Sequence, residues 1–189
     1  MGRFRARDLL LVPSLLSLAR IPLAILFPLV IRPPVLAFSV LVVAGTTDVL
    51  DGWYARRFKQ ATPMGAVLDP VTDKLFVLSV VASLVASRGL PFSGVLLLST
   101  REIGELPLVF WFLASHDVRK ARATKARANV PGKLATTMQF IAVTAALFGS
   151  PYLGALLYAT ACAGVLAAAA YWKREISAFR ASRAEGEVA

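Results

Sequence analysis

The chain has 189 residues, of which 57% are apolar, and its mean hydropathy is +0.67. This composition excludes an ordinary soluble domain of that length and predicts an integral membrane protein. The net charge is +10, but the basic residues are divided among several loops without an aromatic platform, which argues against nucleic-acid binding. The single cysteine, Cys162, cannot form an intrachain disulfide.

Six segments are apolar and long enough to cross about 30 Å of hydrocarbon as helices. They comprise residues 12–31, 35–52, 65–87, 91–114, 132–149 and 152–172. Turns containing proline or glycine follow the first, third and fifth of them. Residues 1–11 are predicted to form a short interfacial helix before the first span. The predicted fold is therefore an all-α integral membrane protein, a single domain over residues 1–189 with six transmembrane helices.

The distribution of charge predicts the orientation of these helices. Basic residues cluster near both termini, between the second and third spans, and over residues 119–133, which connect the fourth span to the start of the fifth. These regions hold 16 of the 21 Lys and Arg residues. By the positive-inside rule, both termini and these two connections face the cytoplasm. The expected location is the cytoplasmic (inner) membrane, where the basic loops also contact anionic lipid headgroups.

Four aspartates lie within 26 residues, at the end of the second span and the start of the third. They are Asp48, Asp51, Asp69 and Asp73. The spacing within each pair, three and four residues, places its two carboxylates on one face of a helix. Ionised carboxylates at membrane depth are costly without a positive partner, and hard oxygen ligands suit Mg²⁺, Mn²⁺ or Ca²⁺ rather than zinc. Segment 48–73 therefore predicts a site for divalent cations.

Small and basic residues accompany the aspartates. Gly52 directly follows the first pair and Gly65 lies four residues before the second pair, on helical stretches where glycine costs about 1 kcal/mol relative to alanine. The absence of a side chain there lets a ligand approach the backbone, and Ala55 is similarly small. Arg56 offers a guanidinium fork suited to phosphate. This set fits two metal ions that hold a pyrophosphate-containing substrate while a phosphoryl bond is exchanged.

The site resembles the complete signature of the CDP-alcohol phosphotransferase (CDP-alcohol phosphatidyltransferase) family. The matching pattern is Asp48-x-x-Asp51-Gly52-x-x-Ala55-Arg56, eight further residues, and Gly65-x-x-x-Asp69-x-x-x-Asp73. The resemblance implies that an alcohol hydroxyl attacks the lipid-bearing phosphorus of CDP-diacylglycerol and that CMP is released. It also implies that the four aspartates hold two Mg²⁺ or Mn²⁺ ions, that Asp73 is the general base, and that the remaining motif positions receive CDP.

Other stretches resemble the branch of this family that contains bacterial phosphatidylglycerophosphate and cardiolipin synthases. They are Pro13–Arg20, Asp69–Lys74, Arg101–Ile103 and Gly132–Gln139. Val109 and Ala135 replace cations that are common in this branch, which leaves Arg20, Arg101 and Lys133 as the candidates for binding the acceptor. The resemblance favours glycerol 3-phosphate as the acceptor. Phosphatidylglycerol, as in cardiolipin synthases, or another alcohol is the alternative.

Two other classes of membrane protein also place acids near cations. An intramembrane cation transporter would distribute its acids across the depth of the membrane or between two halves of the chain. An aspartate-rich prenyltransferase would be longer, with two widely separated acidic motifs. Neither accounts for the glycine, alanine and arginine positions together. Oligomeric state is also open, since small residues in the last span, such as Gly164 and Ala167, predict close helix packing within the chain or in a homodimer.

Overall fold

The computed structural model describes residues 12–58, 65–114 and 130–187. Within these ranges, the described side chains exclude those of residues 12–14, 52, 55–56, 65–70, 108–114 and 178–187. Every regular element in the described ranges is an α-helix, so the predicted all-α class is confirmed. The chain divides into two compact units, residues 1–90 and 91–189. That the whole chain acts as a single domain stays a prediction.

The first unit is built from four helices. They are α1 (Val12–Leu18), α2 (Arg20–Val30), α3 (Pro34–Arg57) and α4 (Gly65–Arg88). Both α1 and α2 pack against both α3 and α4. The core contains the rings of Phe27 and Phe76 in an edge-to-face pair with centroids 6.1 Å apart, together with the fully buried Leu84. The first predicted span therefore contacts both helices that carry the aspartates.

A proline divides that first span into two helices. Pro22 has no N–H, so the carbonyl of Leu18, four residues earlier, loses its helical hydrogen bond. The helix is interrupted at Ala19, and α2 begins at the next residue. The interruption places Arg20 at the start of a new helix, a position that hydropathy alone does not indicate.

The second unit contains the other four helices. They are α5 (Phe92–Leu98), α6 (Thr100–Ala114), α7 (Val130–Leu147) and α8 (Leu153–Glu187). Helix α8 packs against the other three. Small residues permit this packing, because a Cβ atom at Gly104 would lie 2.7 Å from Ala168 Cβ, and one at Gly164 would lie 2.9 Å from the backbone nitrogen of Arg101. The predicted close packing of the last span thus occurs within the chain, whereas a homodimer stays a prediction.

Two of the predicted turns depend on glycines with left-handed backbone conformation. Gly89 has φ of 64° and ends α4, and Gly149 has φ of 63° and ends α7. This conformation carries no steric penalty at glycine, and it lets the following N–H groups return to the last carbonyls of the helix. The remaining predicted turn, which follows the first span, is held differently. There the guanidinium of Arg88 donates to the carbonyl oxygens of Ile31 and Arg32, at 2.9 and 3.0 Å.

Two helices in the described ranges are long and apolar enough to cross a membrane, over Pro34–Asp51 and Leu153–Ser177. Only 28% and 33% of these segments are buried within the chain, whereas a core helix of a soluble protein is mostly buried. The other four predicted spans are helical over nearly their whole ranges, and that they cross a membrane stays a prediction. The interfacial helix predicted over residues 1–11 lies outside the described residues.

Candidate functional site

The first pair of aspartates lies near the C-terminal end of α3. Asp48 and Asp51 are three residues apart, so their carboxylates extend from one face of the helix. Their environments differ, because the side chain of Asp48 is 57% exposed and that of Asp51 is 6% exposed. The pair therefore combines one carboxylate that is open to a ligand with one that the protein encloses.

Both carboxylates contact the same nitrogen of Arg20. The Nη2 atom lies 2.8 Å from Asp48 Oδ1 and also donates to Asp51 Oδ2. The hydroxyl of Ser17, on α1, donates to the same oxygen of Asp51 at 3.1 Å. Ser17 and Arg20 are both buried. Helices α1, α2 and α3 thus meet at this pair of aspartates, and the positive charge beside the pair is supplied by Arg20 of α2.

Two other nitrogens of Arg20 are buried, Nε and Nη1, and in the described part of the chain they have no hydrogen-bond partner. A buried donor without an acceptor costs roughly 1–3 kcal/mol. The sequence predicted Arg20 as an acceptor-binding residue. In the structure, Arg20 contacts Asp48 and Asp51 through Nη2, and its Nε and Nη1 donors are not used by the described residues. Its contact with the acceptor stays a prediction.

The second pair of aspartates lies on α4, where Asp69 and Asp73 are one turn apart, as the spacing predicts. Asp73 is exposed, and Thr72 beside it is buried. The side chain of Asp69 is outside the described set. Among the side chains that are described, no group of three or more His, Cys, Asp or Glu is close enough to hold a metal ion. The four-carboxylate metal site therefore stays a prediction.

For the other four positions of the motif, the structure describes the backbone only. Gly52, Ala55 and Arg56 continue α3 beyond the first aspartates, and Gly65 begins α4. Both glycines are therefore helical, as the sequence predicts. Since the surroundings of these four residues lie outside the described side chains, their contacts with CDP stay a prediction.

The first pair of aspartates is chemically suited to a divalent cation. Oxygens from successive turns of α3 approach one cationic nitrogen, so the helix already holds them at a separation that a single cation bridges. Carboxylate oxygens are the ligands that Mg²⁺ and Mn²⁺ prefer. Asp48 and Asp51 therefore fit the predicted metal ions for two reasons. Their donor atoms are carboxylate oxygens, and the guanidinium of Arg20 occupies a position between them that a metal cation could take.

Another polar cluster lies in the second unit, where α6 meets α7. Arg101 donates from Nε to Glu105 Oε1 at 3.0 Å and from Nη1 to Thr136 Oγ1 at 2.6 Å. Lys133 is exposed and lies three residues before Thr136 on α7. Arg101 and Lys133, the two predicted acceptor-binding cations of this unit, are thus both close to Thr136, one by a hydrogen bond and the other by one turn of α7. Their binding of the acceptor stays a prediction.

The structure adds residues whose contacts sequence reasoning missed. Gln139 Nε2 lies 2.9 Å from the carbonyl oxygen of Leu98 and 3.0 and 2.9 Å from the two carboxylate oxygens of Glu102. Side-chain contacts therefore join two of the four stretches that resemble the family branch, Arg101–Ile103 and Gly132–Gln139. Ser17 was also missed as a partner of Asp51. The signal in the sequence is its spacing of three residues from Arg20, which allows both side chains to reach the same carboxylate.

Comparison with known proteins matches residues 10–171 to the family model described as CDP-alcohol phosphatidyltransferase. A CDP-diacylglycerol–glycerol-3-phosphate 3-phosphatidyltransferase of Bacillus subtilis is 31% identical over 72% of this chain and 76% of the relative. A protein of the same name from Pseudomonas fluorescens is 42% identical over 41% of this chain and 43% of the relative. A cardiolipin synthase (CMP-forming) of Streptomyces coelicolor is 36% identical over 57% of this chain and 54% of the relative.

These alignments differ in extent. With the Pseudomonas and Streptomyces relatives, the chain spans about half of the relative's length, and with the Bacillus relative about three quarters. The family model covers both units of the chain, including all four aspartates and the three predicted acceptor-binding cations.

Proposed function

The chain belongs to the CDP-alcohol phosphatidyltransferase family, and on that premise we propose that it transfers the phosphatidyl group of CDP-diacylglycerol to an alcohol. CMP is the second product, and the reaction is a step of phospholipid biosynthesis. Relatives named for transfer to glycerol 3-phosphate and for CMP-forming cardiolipin synthesis support this class of reaction.

One observation in the structure carries the proposal. Two carboxylates of the family motif, Asp48 and Asp51, approach a common cationic nitrogen at the end of an apolar helix. A pyrophosphate-containing lipid brings negative charge to the membrane surface, and carboxylates alone would repel it. A site that concentrates acids around a cation position suits a substrate that binds together with metal ions.

The proposed chemistry assigns separate roles to the aspartates. Asp48, Asp51, Asp69 and Asp73 would hold two Mg²⁺ or Mn²⁺ ions, which when bound would neutralise the pyrophosphate oxygens and acidify the acceptor hydroxyl. Asp73 accepts the proton of that hydroxyl. The acceptor oxygen then bonds to the lipid-bearing phosphorus, and the bond from this phosphorus to the bridging oxygen of the pyrophosphate breaks, so that CMP leaves. Gly52, Ala55, Arg56 and Gly65 receive the CDP group.

We propose glycerol 3-phosphate as the acceptor, which would make the chain a phosphatidylglycerophosphate synthase. The Pseudomonas and Bacillus relatives are both named for this acceptor, and the Bacillus relative aligns over most of both chains. Transfer to phosphatidylglycerol is the second candidate, because one relative is named a cardiolipin synthase. Assays of CMP release from CDP-diacylglycerol with each acceptor separate the two, and release with phosphatidylglycerol alone would overturn the first choice.

The acceptor proposal predicts that the cations of the second unit govern the KM for glycerol 3-phosphate. Loss of one charge-assisted contact to a phosphate costs about 1.5–3 kcal/mol. Lys133→Ala or Arg101→Ala should therefore raise this KM roughly 10- to 100-fold and leave the KM for CDP-diacylglycerol nearly unchanged. Lys173→Ala, a change at an exposed lysine outside the predicted set, serves as the matched control. Equal effects on both KM values would contradict the assignment.

We further propose that the chain crosses the cytoplasmic membrane six times, with both termini and the aspartates at the cytoplasmic face. Large apolar side chains remain exposed on several helices, for example Leu29, Leu78 and Leu166, which are 76%, 66% and 63% exposed. An apolar surface of this extent suits contact with lipid. The distribution of Lys and Arg supports the orientation.

Cysteine labelling tests this topology. In a Cys162→Ser background, a cysteine at Lys59 or Arg122 should react with a membrane-impermeant maleimide only after the cells are opened, because these sites would face the cytoplasm. A cysteine at Arg32, whose side chain is exposed in the short turn before α3, should react in intact cells. The reverse pattern would place the aspartates at the wrong face for cytoplasmic CDP-lipid.

A further inference from the structure

The contact between Arg20 and the first aspartates bears on how metal ions enter the site. One nitrogen of Arg20 contacts an oxygen of Asp48 and an oxygen of Asp51. The proposed function assigns the same two carboxylates to divalent cations. Two cations that contact the same oxygens repel each other strongly in a site shielded from water. Arginine and metal are therefore alternative partners of this pair.

We propose that Arg20 is a built-in competitor of the metal ions: its guanidinium neutralises Asp48 and Asp51 when no metal is bound, and it releases these oxygens when metal binds. This inference rests on the proposed function, since it requires metal at these aspartates. It makes Arg20 a positioning residue that sets the metal affinity of the site and keeps the two carboxylates together.

The burial of Asp51 explains why such a residue is needed. A buried carboxylate without a counter-ion is strongly destabilising. Arg20 supplies the charge and Ser17 adds a neutral hydrogen bond to the same oxygen. Without Arg20, the end of α3 would lose the cation that contacts both of these neighbouring carboxylates, one of which is enclosed by protein.

Other features of the contact favour exchange over permanent pairing. Asp48 is largely exposed, so its carboxylate can exchange the contact with the buried Arg20 for water or for a metal ion without being desolvated itself. Arg20 itself makes incomplete use of its five donors, because its Nε and Nη1 atoms have no partner in the part of the chain that the structure describes. A fully hydrogen-bonded arginine would be harder to displace. The geometry therefore points to Arg20 as a counter-ion of Asp48 and Asp51 that a metal ion can replace.

Binding of Mn²⁺ to the full chain in detergent micelles tests the proposal without using activity. The free ion is measured by its electron paramagnetic resonance signal. Arg20→Gln and Arg20→Met remove the competing charge and should bind Mn²⁺ at least about 10-fold more tightly than the wild type. Arg20→Lys keeps the charge and should remain within about threefold of the wild type. Ser17→Ala, which removes a neutral contact to the same oxygen, is the matched control and should also change little.

The unmodified chain supplies a second measurement that does not depend on the folding of a variant. Addition of Mn²⁺ should increase the reaction of Arg20 with phenylglyoxal, read by mass spectrometry of the peptide that contains it. Unchanged labelling, or unchanged or weaker Mn²⁺ binding in Arg20→Gln, would overturn the proposal. A wild-type chain that binds no Mn²⁺ would instead contradict the metal site of the proposed function, so the two failures are distinguishable.

Discussion

Replacement of Asp73 by asparagine is expected to reduce turnover at least about 10²-fold, because an amide cannot accept the proton of the acceptor hydroxyl. The substitution preserves the size and polarity of the side chain. Asp73 is exposed on α4, so the change leaves the packed core of the first unit intact. The measurement is CMP release from CDP-diacylglycerol at saturating acceptor.

Asp48→Asn is the matched comparison, since it removes a carboxylate from the same motif without removing the proposed base. Binding of CDP, followed through the melting temperature of the purified protein, should decrease more in Asp48→Asn than in Asp73→Asn. Near-normal turnover of the Asp73 variant would exclude it as the base. Loss of CDP binding equal to that of Asp48→Asn would assign Asp73 to substrate binding.

Removal of divalent cations is expected to abolish activity, and addition of Mg²⁺ or Mn²⁺ to restore it. Four carboxylates within one motif repel each other and the pyrophosphate of the substrate unless cations neutralise them. Activity is measured after chelation and then over a titration with each ion. Full activity in metal-free buffer would refute the metal-dependent mechanism.

Variants of the motif connect this loss to particular residues. Asp51→Asn should raise the concentration of Mg²⁺ that gives half-maximal activity, because it removes one hard ligand. Glu175→Gln changes an acid on α8 that pairs with Arg174 and lies outside the motif, so it controls for a general loss of negative charge. A similar shift in both variants would show that the effect is not local to the proposed metal site.

Much of the fold could be predicted from hydropathy because a membrane-length apolar segment has few alternatives to a helix. The second predicted span, 35–52, corresponds to α3, yet α3 continues to Arg57. The last predicted span ends at residue 172, and α8 continues to Glu187. Helix α8 continues because residues 173–187 include Ala, Arg and Glu, which retain helix propensity although most of this stretch is polar. Helix α3 continues through Ala55, Arg56 and Arg57, which are also strong helix formers. Hydropathy locates the apolar part of a helix, not its end.

The local breaks show a similar limit. Pro22 and Thr100 lie inside the first and fourth predicted spans, which the structure divides at Ala19 and Ser99. The hydroxyl of Thr100 donates to the carbonyl oxygens of Leu96 and Leu97, at 3.0 and 2.9 Å, a contact that tends to bend a helix. The signals for both breaks are in the sequence, but an apolar window averages over them.

The sequence by itself determined the all-α class, the family and the eight motif positions, because these depend on composition and on spacing along single helices. It could not determine which cation meets which acid. Arg20 and Asp51 are 31 residues apart, and only the packing of α1 and α2 against α3 brings the guanidinium and the hydroxyl of Ser17 onto one carboxylate. Contacts of this kind depend on how helices turn their faces toward each other, which the tertiary structure alone decides.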